Sequence, residues 1–182
     1  MASFCTKRLL ELTHVDPSRK ILQKIVQAAV PKATKKHRKI GKILRVKSRE
    51  EILLRYEKHR EMVKVVSSLQ HHKNPRNLVD GNELLQFYGT TMACTKRKQN
   101  SVNKLCYELN CQVCRIIGSY FDTEYTRKHG IQLSRSSQVL TEIMSSVSSV
   151  KKAKRAVIVC RTIAGSVDRN FDVKERENDA IA

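Results

Sequence analysis

The stretch Asp80-Gly81-Asn82-Glu83-Leu84-Leu85-Gln86-Phe87-Tyr88-Gly89-Thr90-Thr91 decides how the chain is read. Asp80-Gly81 is a turn pair, Leu84 to Tyr88 is an apolar run suited to a pleated strand, and Gly89 marks a second turn. A strand is expected over Leu84 to Tyr88, with the polar run Gln70 to Asn82, broken by Asn74-Pro75, as the loop before it. Further upstream, Ser48 and Glu51 form a capping-box pair, and Ile52, Leu53, Tyr56, His59, Val63 and Val66 follow at helical spacing. An earlier helix opens at Asp16 and Pro17, carries Ile21, Leu22, Ile25, Val26 and Ala29 on one face, and ends at Pro31. Between these helices, Lys32 to Arg49 holds nine Lys or Arg and no acid, with Ile40, Ile43, Leu44 and Val46 interleaved. That mixture predicts a short strand with basic flanks.

Downstream of Gly89, basic residues and cysteines fill Cys94 to Cys114. Val113, Ile116, Ile117, Tyr120 and Phe121 then mark an amphipathic helix. A charged loop is expected from Asp122 to Gly130, followed by a polar strand-like segment, a helix carrying Val139, Leu140, Ile143, Met144 and Val147, and a strand over Ala156 to Ile163. Helical and strand periods thus alternate irregularly, which points to an α+β fold. The expected division is a flexible N-terminus (1–15), one folded domain (16–168) with a cysteine-rich segment (94–114), and a charged tail (169–182).

Of the 182 residues, 36 are Lys or Arg and 17 are Asp or Glu, a formal net charge of +19 that attracts phosphates and acidic protein surfaces. No stretch approaches the roughly 20 apolar residues of a membrane span. Met1 to Leu12 lacks the apolar centre of a signal peptide, so a chain neither secreted nor embedded in a membrane is expected. The cluster Lys35-Lys36-His37-Arg38-Lys39 fits a nuclear address, with the cytoplasm as the alternative, although such runs are usually solvated surface.

Cys94, Cys106, Cys111 and Cys114 have the spacing C-x11-C-x4-C-x2-C, and the last pair opens a helix. Four sulfur donors complete a tetrahedral zinc site with no free position, a structural arrangement. Basic neighbours and the helix N-terminus favour thiolates. Ordinary buried cysteines are the competing reading, which also suits Cys160 in its apolar run. His59 lies on a helix, and His71, His72 and His129 fall outside the cluster.

Taken in order, Ile43-Leu44-Arg45-Val46-Lys47, Arg55 to Val63, the opening stretch, Leu105-Cys106, Cys111 to Ile117 and Ala156 to Gly165 carry a resemblance. The chain resembles a plant family described as C2H2-like zinc-finger proteins, whose folded part is similar to the catalytic domain of poly- and mono-ADP-ribosyltransferases. The resemblance implies a partial split antiparallel sheet with flanking helices and a cysteine-rich zinc insertion. It also implies an NAD cradle at a strand ending His-Gly-Thr or His-Gly-Ser, matched here by Tyr88, Gly89 and Thr90. A ring-stacking aromatic is implied within Gly130 to Ser137, where Gln132 stands instead. The family's last catalytic position lies in strands beyond Arg161-Thr162-Ile163-Ala164-Gly165, and no acid of this chain is assigned to it; Glu175 and Glu177 read as surface carboxylates.

These departures lead to the expectation of a non-catalytic, zinc-binding, ADP-ribosyltransferase-like protein with a vestigial NAD site at Tyr88, Gly89, Thr90 and Gln132. It would act through protein or nucleic-acid contacts made by its basic surface, or assemble through an open sheet edge. An active NAD-dependent mono-ADP-ribosyltransferase and a basic nucleic-acid-binding zinc protein are the alternatives. Few aromatics and no tryptophan argue against a stacking platform for single strands.

Overall fold

The computed structural model of the chain describes residues 9–28, 40–69, 74–93, 105–106, 108–135 and 154–166. It is a mixed helix-and-strand fold with two small antiparallel sheets and a cysteine cluster. The described elements are β1 (Leu9–Glu11), α1 (Pro17–Ala28), β2 (Leu44–Val46), α2 (Glu50–Leu69), α3 (Pro75–Asp80), β3 (Glu83–Met92), α4 (Gln112–Ser119), α5 (Glu124–His129) and β4 (Lys154–Ile163). The chain forms two compact units, one of Met1–Ser48 and Gln86–Cys160, the other of Arg49–Leu85 and Arg161–Ala182.

In the first unit β1 pairs antiparallel with β2, Leu10 opposite Arg45. The stretch expected to be a flexible terminus therefore contains a strand, and its Leu9 and Leu12 are almost fully buried. Asp16 caps α1 as the sequence implied, its carboxylate accepting the Ser18 backbone N–H at 2.8 Å. The helix's apolar residues, however, are half-buried or exposed, and its one buried side chain is Arg19, at 6% exposure. The guanidinium donates to the carbonyls of Leu12 (2.9 Å) and Gly41 (3.3 Å), which ties the start of α1 to the segment before β2. The core of this unit gathers Leu9, Met92, Cys111, Val113, Cys114 and Ile117, with Leu44, Leu105, Ala156 and Ile158 packed against them.

In the second unit α2 begins at Glu50, one residue later than a Ser48 cap implies. The N–H groups of Ile52 and Leu53 turn back to the Arg49 carbonyl. Glu50 and Glu51 in its first turn complement the helix dipole. The expected loop before β3 contains α3, because Asn74-Pro75 serves as cap and first helical residue rather than as a turn. Asn74 accepts the Arg76 N–H, and Gly81, at φ 67°, closes the helix in the left-handed region that glycine adopts without penalty.

β3 is longer than the five residues expected and runs through Gly89, so no turn forms there. Gly89 is flanked by strand-forming residues on both sides, and the described glycines with positive φ are Gly81, Gly130 and Gly165. β3 pairs with β4, and the ladder continues past the strand ends through Ala164 N–H to Asn82 O and Gly165 N–H to Gly81 O. The expected loop Asp122 to Gly130 holds α5, opened by a capping box between Thr123 and Thr126. The helix expected around Val139 to Val147, the Lys35 to Lys39 cluster and the tail beyond residue 166 lie outside the described residues. No helix among the described residues is long and apolar enough to cross a membrane.

Candidate functional site

Cys106, Cys111 and Cys114 present thiol sulfurs that all lie within 4.8 Å of one another. The sequence places two of them by helical geometry. Cys111 is the N-cap of α4 and Cys114 its third residue, so a three-residue spacing puts both on one face of the first turn. Cys106 joins them from the segment before the helix, where Leu105 packs into the same core. Cys111 is fully buried, Cys114 is 3% exposed and Cys106 is half-buried.

Such a cluster can hold a metal ion. Zinc–sulfur bonds of about 2.3 Å at tetrahedral angles set sulfurs about 3.8 Å apart, so the observed spacing needs only a small contraction. Burial pushes the Cys114 thiol above its ordinary range, with Cys111 alongside adding to the effect. A bound cation reverses that preference, because thiolate charge is then compensated within the dry site. The start of α4 adds the positive end of a helix dipole. The donor set is soft and suits zinc over oxygen-seeking cations such as calcium or magnesium. Cys94, the fourth ligand expected from the sequence, lies outside the described residues. Cys160 stands apart on β4, half-buried, its thiol pushed up to about 11 by burial.

The four residues tied to an NAD cradle fall on two segments that the fold brings together. Tyr88, Gly89 and Thr90 lie on β3, and the segment carrying Gln132 meets that strand at a bridge between Phe87 and Ser134. Both backbone bonds of the bridge are formed, Phe87 N–H to Ser134 O at 2.8 Å and Ser134 N–H to Phe87 O at 3.0 Å. The bridge is an isolated pair, and the two segments are joined at Phe87 and Ser134. Thr90 is buried, Tyr88 and Gly89 are half-buried, and Gln132 is exposed. The Tyr88 ring stands edge-on to Phe121, with centroids 5.3 Å apart and planes at 90°, the geometry aromatic quadrupoles favour. Burial raises the Tyr88 phenol above its ordinary value, with Tyr125 and Cys160 as further neighbours.

Phe121 was expected on the face of a helix, yet α4 stops at Ser119. Tyr120 and Phe121 both take left-handed φ, 53° and 66°. For residues with a Cβ this conformation costs roughly 1–2 kcal/mol each. Their aromatic spacing continued the helical pattern, so the one warning in the sequence was Thr123, which caps the next helix three residues later.

A second polar cluster, in the unit containing α2, joins Glu83 to Arg161 through two bonds of 2.7 and 2.8 Å. The Arg161 guanidinium lies 5.1 Å from the centre of the Tyr56 ring, and burial pushes the Tyr56 phenol up to about 12, with the Glu83 carboxylate adding to it. This arrangement fastens the first residue of β3 to β4. No family model, no curated protein and no solved structure matches the chain.

Proposed function

We propose that the chain is a zinc-stapled α+β domain related to the ADP-ribosyltransferases that does no catalysis and works by binding a protein or nucleic-acid partner. The observation that carries this reading is the condition of the β3 cradle. Tyr88, where the resemblance implies a histidine, spends its ring on Phe121, and the position implied for a stacking aromatic is the solvent-exposed Gln132. A pocket for NAD needs an imidazole free to bond ribose and a flat ring to cover nicotinamide, and neither group is offered here.

Zinc in this reading is a staple. Three thiols inside a hydrophobic core supply its ligands, and the metal joins the start of α4 to the segment before it. The net charge of +19 supports an acidic partner surface or a phosphate backbone. Nuclear residence fits the same charge and remains part of the proposal.

One observation favours an active transferase instead. The Phe87–Ser134 bridge keeps the Gln132 segment against β3, as a working cradle would need. Calorimetric titration of the zinc-loaded protein with NAD, beside a Tyr88→His variant, separates the two. No saturable heat from the wild type is expected. Micromolar binding by the wild type would overturn the non-catalytic reading.

A further inference from the structure

α2 is apolar on two faces. One packs on its own unit: Tyr56 lies beside the Arg161 guanidinium, Val63 and Arg60 lie against Gly165 and Gly81 respectively, and Ser67 is buried. The other face points the opposite way. Leu54, Lys58, Met62, Val65 and Leu69 recur at three- and four-residue steps, the row that one side of a helix presents. Its apolar members are exposed, Leu54 to 63%, Met62 to 54%, Val65 to 58% and Leu69 to 75%. Solvated helix faces are ordinarily polar, so an apolar row running about four turns marks a contact surface. The charge left over on α2 is positive. Glu50 and Glu51 sit in the first turn against the helix dipole, Glu57 pairs with Arg60, and Glu61 pairs with Lys64 at 2.9 Å. Arg55 and Lys58 are exposed, and no carboxylate among the described residues pairs with them.

We propose that this outward row of α2 is a docking face for an acidic amphipathic helix of a partner protein. The occupant lays its own apolar stripe along Leu54, Met62, Val65 and Leu69 and sets carboxylates against Lys58 and Arg55. Lys58 decides the chemistry. Its stem continues the apolar row while its ammonium needs an acceptor, as a lone polar group in a helix seam does when it sets register. Pairing the rows of two copies of this chain along their length supplies none. A parallel pair puts Lys58 against Lys58, an antiparallel pair lays it against Val65, and two chains of net charge +19 repel each other. A phosphate polymer would answer the cations and leave the apolar row in water. The inference gives the protein-binding reading a surface and rests on that reading; it uses neither the β3 segment nor the metal.

The test is an amide NMR titration of the zinc-loaded full chain with two synthetic helical peptides. Both carry leucines at three- and four-residue steps; one has glutamate along its flanks and the other lysine. The glutamate peptide should bind with a dissociation constant of about 10–100 μM, with shifts along α2, and the lysine peptide at least about tenfold more weakly. The double variant Val65→Ser, Leu69→Ser should lose the peptide and keep its melting temperature within about 2 °C, because both side chains are exposed. Lys58→Glu should weaken the glutamate peptide about tenfold through like-charge contact. Equal binding of the two peptides overturns the acidic partner. No binding of either, or a serine variant that binds like the wild type, overturns the docking face. So does a serine variant that melts far below the wild type, since its side chains were then already packed. A wild-type dimer that the serine variant dissolves assigns the row to a second copy, and α2 shifts with phosphatidylserine vesicles but not with peptide assign it to a membrane surface; either result overturns the proposal. NAD titration decides the catalytic question separately, so the docking face and the non-catalytic reading fall independently.

Discussion

Removing the zinc proposed for the Cys106, Cys111 and Cys114 cluster should lower the melting temperature by about 10–15 °C. The figure follows from where the sulfurs lie. Two of the three are buried to 3% exposure or less, and the fold brings all three within 4.8 Å, so an ion held by them would bind the native state and barely touch the unfolded one. A ligand present at about a thousand times its dissociation constant then adds about 4 kcal/mol of stability. For a chain of this length each kcal/mol moves the midpoint by about 2–4 °C. The assay is differential scanning calorimetry of zinc-loaded and chelated protein, with metal content measured on the same samples. Cys111→Ser and Cys114→Ser should bind substoichiometric zinc and melt with the chelated form, because a serine hydroxyl is a poor zinc ligand. Cys160→Ser, another reduced cysteine outside the cluster, should keep its metal. Chelated protein that melts with the loaded form, or Cys114→Ser that retains one zinc per chain, would refute the reasoning.

Glu83→Gln should lower stability by about 1 kcal/mol at pH 7, the value reflecting how far Arg161 is exposed to solvent. Arg161 holds the Glu83 carboxyl below its ordinary value of 4.5, so the wild-type contribution is complete above that value and disappears as pH falls through the lowered folded one. Denaturant titrations should therefore show the two proteins converging in acid, and a gap independent of pH would rule the ion pair out as its source. Gly81→Ala should cost about 2 kcal/mol, since φ is 67° and a Cβ would meet the Ile163 side chain at 3.1 Å. Gly41→Ala, with open space around it, should stay within about 0.5 kcal/mol of wild type by the same denaturant assay.

The legible parts of the fold were those written in local chemistry. Asp16-Pro17 announced α1 because a cap and a pre-set φ act within a few residues, and the apolar spacing after Ser48 announced α2 for the same reason. Cys111 and Cys114 could be placed at a helix start from their three-residue spacing. That Cys106 closes on them is a tertiary fact, consistent with the grouping but not derivable from a four-residue gap. Gly89 misled because a glycine in a short apolar window reads as a turn, whereas pairing with β4 and the bridge to Ser134 keep the strand straight through it. α3 and α5 were hidden in polar runs, where six-residue helices are held by caps rather than by any apolar stripe. Phe121 was misplaced by its own spacing, since nothing in an aromatic side chain reports the sign of φ. The assignment of Tyr88, Gly89, Thr90 and Gln132 came from resemblance; the bridge at Phe87 joins the two segments that carry them.

Arg19 has a consequence for anyone redesigning this chain. A hydropathy-guided choice would install leucine at the one buried position of α1, and the swap would look conservative in volume. It would also take away the donor that the carbonyls of Leu12 and Gly41 share, and with it a cross-link between segments 22 residues apart in sequence. Lysine would fail differently, since a single ammonium on a flexible stem cannot span two acceptors with a planar fork. The position is thus a grammatical exception inside an ordinary amphipathic helix, permitting one residue type for reasons of reach and shape rather than polarity.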